Sequence, residues 1–235
     1  MKRAQVRDLV RASLSAWPAA AVTALVLAAF AFGSVAGAIA QPSATSADQD
    51  QAPVIVAFGD SLTAGYGLAE EESYPSLLQA RLKRLGYPQR VVNAGVSGDT
   101  SAGGVARLDW VLQQPVQVMI VCFGGNDGLR GLDPNELHRN LDTIIVQAQK
   151  HGAKVLLAGM HMPTNYGPDY NRRFDAVFPA VAKAHNVAFL PFLLEGVAGR
   201  PDLNQADGIH PNAAGARIVE EHVWRKLKPL LDGKK

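Results

Sequence analysis

Five short runs of β-branched and apolar residues recur along the chain: Val54–Phe58, Val91–Asn93, Val116–Cys122, Val155–Ala158 and Val187–Leu190. Between them, and after the last, lie longer stretches in which apolar residues return at helical spacing: Tyr74–Leu85, Ala102–Leu112, Pro134–Lys150, Tyr170–His185 and Asn212–Leu231. Asp133 followed by Pro134 supplies an N-cap and a first-turn proline, and Gly86 and Gly152 mark helix ends. A strand–helix–strand alternation of this kind implies parallel strands, and a parallel sheet must be covered on both faces. The expected fold is therefore α/β: a three-layer α/β/α sandwich around a five-stranded parallel sheet, formed by residues 53–235.

What precedes that domain has a different character. Lys2, Arg3, Arg7 and Arg11 against Asp8 give residues 1–40 a net charge of +3, so the rest of the chain carries −1 of the total +2. The basic start is followed by an apolar stretch from Trp17 to Ala40 that ends in the small residues of Ala38-Ile39-Ala40. That order is the layout of a signal peptide, with cleavage expected after Ala40. The alternative is an uncleaved membrane anchor through residues 17–40, since about 20 apolar residues span a bilayer. No Cys follows the apolar run, which excludes a lipoprotein anchor. Residues 41–52 are polar, with little to bury, and read as a flexible linker. The protein is thus expected to be exported, periplasmic or secreted.

The near-neutral body offers no clustered basic face, so nucleic acid is not an expected partner. Membrane contact is expected only through the leader or a lipid ligand, and the protein is expected to be a monomer. The single cysteine, Cys122, sits inside an apolar run and reads as a buried hydrophobe. No disulfide can form within the chain, and no His, Cys and Glu spacing suggests a zinc site. Neither a metal nor another cofactor is expected.

In open parallel sheets, ligands gather beyond the carboxyl ends of the strands. The first three runs are followed there by Gly59-Asp60-Ser61-Leu62, Ala94-Gly95-Val96-Ser97-Gly98 and Gly124-Gly125-Asn126-Asp127, and the last helix is preceded by Asp207-Gly208-Ile209-His210-Pro211. Singly, a Ser in a turn or a His at a helix start is an ordinary cap or solvated group, Gly95 a turn residue and Asn126 an Asx-turn. Together they supply what acyl transfer needs. Ser61 is a nucleophile, His210 a base, and Asp207, three residues earlier, an orienter for its second ring nitrogen. The backbone N–H groups of Ser61 and Gly95 and the Asn126 amide are candidate oxyanion donors.

These four segments, in this order, resemble the first, second, third and fifth blocks of the SGNH (GDSL-type) hydrolases, in particular the branch of bacterial periplasmic thioesterases, also called lysophospholipases and arylesterases. The first block extends through Phe58-Gly59-Asp60-Ser61-Leu62-Thr63-Ala64-Gly65-Tyr66-Gly67-Leu68 and the second through Asn93–Thr100. The resemblance implies a flavodoxin-like strand order 2-1-3-4-5, the same triad and oxyanion donors, and hydrolysis of acyl esters and thioesters. It also makes Met162–Gly167 similar to the substrate loop of that branch, with Met160-His161-Met162 at its proline expected to tune the acyl pocket, Asp60, Asn165 and Tyr166 as expected substrate contacts, and a small-molecule or lipid acyl substrate as the expected partner.

Two rivals fall short. His161 also follows a strand run, but the sequence offers it no nearby carboxylate, Asp169 lying downstream across a Gly-Pro turn. Ser97 lies in Gly95-Val96-Ser97-Gly98-Asp99, which lacks the second glycine position of a G-x-S-x-G elbow. Other readings of the same blocks are a polysaccharide O-acetylesterase and a membrane-tethered, non-catalytic binding module.

Overall fold

The computed structural model describes residues 52–233. The expected leader and all but the end of the expected linker lie outside them. The strands are β1 (Val54–Gly59), β2 (Arg90–Gly95), β3 (Val118–Cys122), β4 (Lys154–Ala158) and β5 (Ala188–Leu190), joined all-parallel in the order β2-β1-β3-β4-β5. Every residue of β1 and β3 is buried, as strands at the centre of a doubly covered sheet must be, while β2 at one edge is half-buried.

The helices are α1 (Ser61–Ala64), α2 (Tyr74–Arg84), α3 (Ser101–Val111), α4 (Gly125–Leu129), α5 (Pro134–Lys150), α6 (Pro168–His185) and α7 (Ala213–Leu231). Short 3₁₀ turns occupy Glu70–Glu72 and Thr164–Tyr166. Helix α2 packs against α7, and α5 against both α3 and α6, which supplies the two helical layers. Leu137, Leu141, Ile144, Ile145 and Ala148 of α5 show why: they fall on one helical stripe and are all buried. Asp133 caps α5 by accepting from the Asn135 N–H, with Pro134 in its first turn.

The five long helices and five strands lie where periodicity puts them, within two residues at either end. The two short helices α1 and α4, of four and five residues, are too short for a period to show in the sequence. Both carry site residues.

Candidate active site

Sheet register brings the first three segments to one edge. The last residue of β1, Gly59, pairs with Gly95 at the end of β2 and with Cys122 at the end of β3. Ser61, Gly95 and Asn126 therefore leave the sheet side by side. The approach is closer than a side chain allows: a Cβ on Gly59 would lie 2.2 Å from Thr63 Oγ1, and one on Gly95 would lie 2.2 Å from the Ala64 nitrogen. Glycine at these two positions lets the start of α1 settle directly onto the strand ends.

Ser61 is the first residue of α1, so its N–H has no acceptor within the helix. Its Oγ lies 2.8 Å from His210 Nε2, and His210 Nδ1 lies 2.6 Å from Asp207 Oδ2. Asp207 also accepts the backbone N–H groups of His210 (3.0 Å) and Ile209 (2.9 Å) through Oδ1. These backbone donors, with the imidazole, hold its carboxyl down at about 2. Ionised, it can only accept, so His210 Nδ1 carries the proton and Nε2 is left to accept from the Ser61 hydroxyl.

The His210 loop is fastened to the serine segment by a residue that the sequence reading did not single out. Gln205 Nε2 donates to the Tyr66 carbonyl (2.6 Å) and the Pro211 carbonyl (3.1 Å), and the Gln205 N–H donates to the His210 carbonyl (2.8 Å). The Tyr66 ring lies 4.7 Å from the imidazole. An uncharged Gln outside any recognisable motif gives no sequence signal for such a role.

The oxyanion candidates are less uniform than their motifs suggest. Asn126 Nδ2 donates one hydrogen to the Asp99 carbonyl (2.9 Å), which fixes the amide and leaves its second hydrogen for a ligand. The Gly95 N–H is already given to Asn93 Oδ1 (3.0 Å), so a ligand oxygen must share it or displace Asn93.

Ser61, Asn126 and His210 line a groove of about 590 Å³, together with Leu62, Leu129, Met160, Met162, Phe192, Leu194 and Ile209. Its wall is mostly apolar. Of the expected substrate contacts, Asn165 and Tyr166 do not line it: Tyr166 turns its hydroxyl to the Leu129 carbonyl (2.9 Å), and the wall is built instead from the preceding Met160–Pro163. Asp60 reaches the groove only marginally, being 2% exposed, and its Oδ1 caps α1 by accepting the Leu62 N–H (3.1 Å). Burial, with the nearby Asp127 and Asp99 carboxylates, lifts its carboxyl to about 7 against the lowering effect of that N–H. Asp60 is thus part of the floor rather than a surface for substrate.

His161 also faces the groove, and it does have a carboxylate: Nδ1 lies 2.9 Å from Asp175 Oδ1 on α6, though without hydrogen-bond alignment. The sequence reading missed Asp175 because only the packing of α6 beside the Met160–Pro163 segment brings it near. His161 touches Phe192 rather than Ser61, with ring centroids 4.6 Å apart. Ser97 lines the groove as well, while Cys122 is wholly buried, and burial raises its thiol far above the usual range. Among the described residues, no group of three His, Cys, Asp or Glu side chains is placed to hold a metal ion.

Comparison with known proteins agrees with this fold. The chain is 48% identical over 184 residues to Esterase TesA of Pseudomonas aeruginosa, covering 78% of this chain and 92% of that protein. It is 38% identical over 182 residues to Thioesterase 1/protease 1/lysophospholipase L1 of Escherichia coli K12, covering 77% and 86%. The crystal structure of TesA superposes with a TM-score of 0.73 at 47% identity, covering 75% of this chain and 99% of that one. The sequence profile of the GDSL-like lipase/acylhydrolase family matches residues 57–218, and the chain belongs to that family.

Proposed function

We propose that this protein cleaves fatty acyl esters and thioesters, including lysophospholipids and aryl esters, through an acyl-enzyme on Ser61. The observation that carries the reading is the unbroken Ser61–His210–Asp207 hydrogen-bonded triad at the floor of a mostly apolar groove of about 590 Å³. His210 Nε2 takes the hydroxyl proton as Ser61 Oγ attacks the acyl carbonyl, and Asp207 stabilises the imidazolium that forms. The developing oxyanion lies toward the Ser61 N–H and the free hydrogen of Asn126 Nδ2, with the Gly95 N–H joining when Asn93 yields it. His210 then protonates the departing alcohol or thiol, and the same residues, run in reverse with water, release the acid. No cofactor is needed for any of these steps.

The groove supports acyl chains well beyond acetyl, since an acetyl group would leave most of its apolar wall against water. The names carried by the two relatives, esterase and thioesterase/lysophospholipase, agree with an acyl substrate of that kind. The test is hydrolysis of p-nitrophenyl esters from acetate to palmitate by the Gln41–Lys235 protein, beside Ser61→Ala. Turnover of medium or long chains by the parent alone is the expected result. Activity confined to acetate would make it an O-acetylesterase, none at all a binding module, and an active Ser61→Ala would remove that serine from the mechanism.

Residues 1–40 support export, with the hydrolase domain released by cleavage after Ala40; retention through residues 17–40 is the alternative. N-terminal sequencing of the protein recovered from outside the cytoplasm distinguishes them, Gln41 being the expected first residue.

A further inference from the structure

Arg107 lies on α3, outside every segment so far assigned to the site, yet all three of its guanidinium nitrogens are spent on the loops that build it. Nη2 donates to the Gly59 carbonyl (2.9 Å), at the end of β1 and two residues before Ser61. Nη1 donates to the Ala94 carbonyl (2.8 Å), one residue before Gly95. Nε donates to Asp99 Oδ2 (2.7 Å), and the backbone carbonyl of that same Asp99 accepts the Asn126 amide (2.9 Å). Each candidate oxyanion donor is thus at most two covalent or hydrogen-bonded residues from one planar cation.

The cation is itself held rigidly. Its guanidinium carbon lies 4.5 Å from the centre of the Phe58 ring and 5.7 Å from that of Phe123, two rings that are buried and packed edge to face. Its side chain is only one-fifth exposed, as is that of Asp99. A solvated surface arginine would leave most of its donors to water. Here a fixed fork meets three acceptors from three different segments, a task that depends on the planar geometry of arginine and that the point charge of lysine cannot reproduce.

We infer that Arg107 is a positioning residue for the oxyanion site, clamping the ends of β1 and β2 and, through Asp99, the Asn126 amide at one mutual spacing. This rests on the acyl-hydrolase reading above. Positioning acts on the transition state, where a donor displaced by about 1 Å can cost on the order of 10²-fold, and only weakly on the binding of an acyl chain in a groove that Arg107 does not line.

The experiment compares parent, Arg107→Lys, Asn126→Ala and the double variant on a medium-chain p-nitrophenyl ester, with kcat expressed per serine titrated by a fluorophosphonate. Arg107→Lys keeps the charge and the apolar stem, and should lose about 10-fold or more in kcat per titrated serine while KM stays within about threefold. On the Asn126→Ala background the same change should cost clearly less, because part of what Arg107 positions is already gone. Unchanged kcat per titrated serine, or a loss explained wholly by fewer titratable serines, would overturn the inference and leave Arg107 a prop of the fold. If Arg107→Lys does not fold, Asp99→Ala, which removes the acceptor of one arm of the clamp and keeps the Asp99 backbone carbonyl, is read by the same two criteria. An inactive parent would instead break the acyl-hydrolase reading, so the two failures are separable.

Discussion

The floor of the groove and its rim are built on opposite plans. The floor, formed by Asp60, Ser61 and Asn126 with Arg107, Asp99 and Asp127 behind them, is polar, buried or half-buried, and cross-linked. Asp127, for instance, accepts both the backbone N–H and the hydroxyl of Ser101, whose Oγ in turn accepts from Asn140. The rim is apolar and open: Tyr66, Leu129 and Ile209 expose 38% or more of their surface, and flexible Met162 forms part of the wall. A cross-linked floor fixes distances to fractions of an ångström, which chemistry demands, whereas a loosely held apolar rim tolerates variation in what it covers. Damage to the floor should therefore appear in kcat, and damage to the rim in the choice of acyl chain.

The sharpest way to break that division is at Asp207, the most exposed member of the relay. Asp207→Asn keeps an oxygen for the Ile209 and His210 amides but presents an NH₂ to His210 Nδ1, which favours the wrong tautomer. We expect kcat to fall by about 10⁴-fold with little change in melting temperature, measured by ester hydrolysis and calorimetry side by side. A loss of only a few-fold would mean that the loop backbone orients His210 without the carboxylate. Because the carboxyl of Asp207 is lowered, what its ionised form contributes to stability is present above its unfolded value near 3.8 and is lost as pH falls toward 2.

Asp60 titrates with the opposite sign. Its folded value near 7 lies above the unfolded 3.8, so the contribution of its protonated form is complete below about pH 4 and disappears as pH rises through 7. That is roughly three decades in the folding equilibrium, on the order of 4 kcal/mol. Asp60→Asn preserves the acceptor for the Leu62 N–H and cannot ionise. Urea unfolding between pH 4 and 8 should show this part of the decline in the parent and its absence in the variant. Parallel curves would mean that the floor is wet enough to keep Asp60 charged throughout.

Asn126→Ala removes one of the proposed oxyanion donors and should lower kcat by about 10²–10³-fold with KM nearly unchanged. If KM rises instead while kcat holds, Asn126 belongs with the rim. Here the sequence was most informative: the Gly-rich segments at strand ends bring Ser61, Gly95 and Asn126 together, because a parallel sheet has only one edge where its carboxyl ends can meet, and the three-residue spacing of Asp207 and His210 before the last helix pairs their side chains. It was least informative where contact depends on how helices pack. Arg107 reads as one more cation on an amphipathic helix, Asp175 reaches His161 only through the placement of α6, and nothing in Asn93-Ala94-Gly95 announces that the Asn93 side chain takes the Gly95 N–H. The rim misled for a related reason. Met160, His161 and Met162, read as shaping the acyl pocket, do line the groove, but Asn165 and Tyr166, expected from the resemblance to a substrate loop, lie off its wall.

The smallest predicted effect tests the rim alone. Gly128 is buried inside α4 with ordinary helical backbone, and a Cβ there would lie 2.0 Å from Met162 Sδ. Thioether chains are flexible, so Gly128→Ala should not break the helix; it should push Met162 away from α4 and reshape the groove that it lines. One displaced side chain in an apolar pocket is worth on the order of 1–2 kcal/mol of discrimination. The ratio of kcat/KM for a long-chain to a short-chain p-nitrophenyl ester should therefore shift by about 10-fold, with short-chain turnover close to parent. Because Asn126 lies only two residues earlier on the same short helix, the experiment also asks how well floor and rim are insulated from each other. A matching loss on every chain length would show that strain at Gly128 travels down α4 to the Asn126 amide, and the division between floor and rim would fail at the one helix they share.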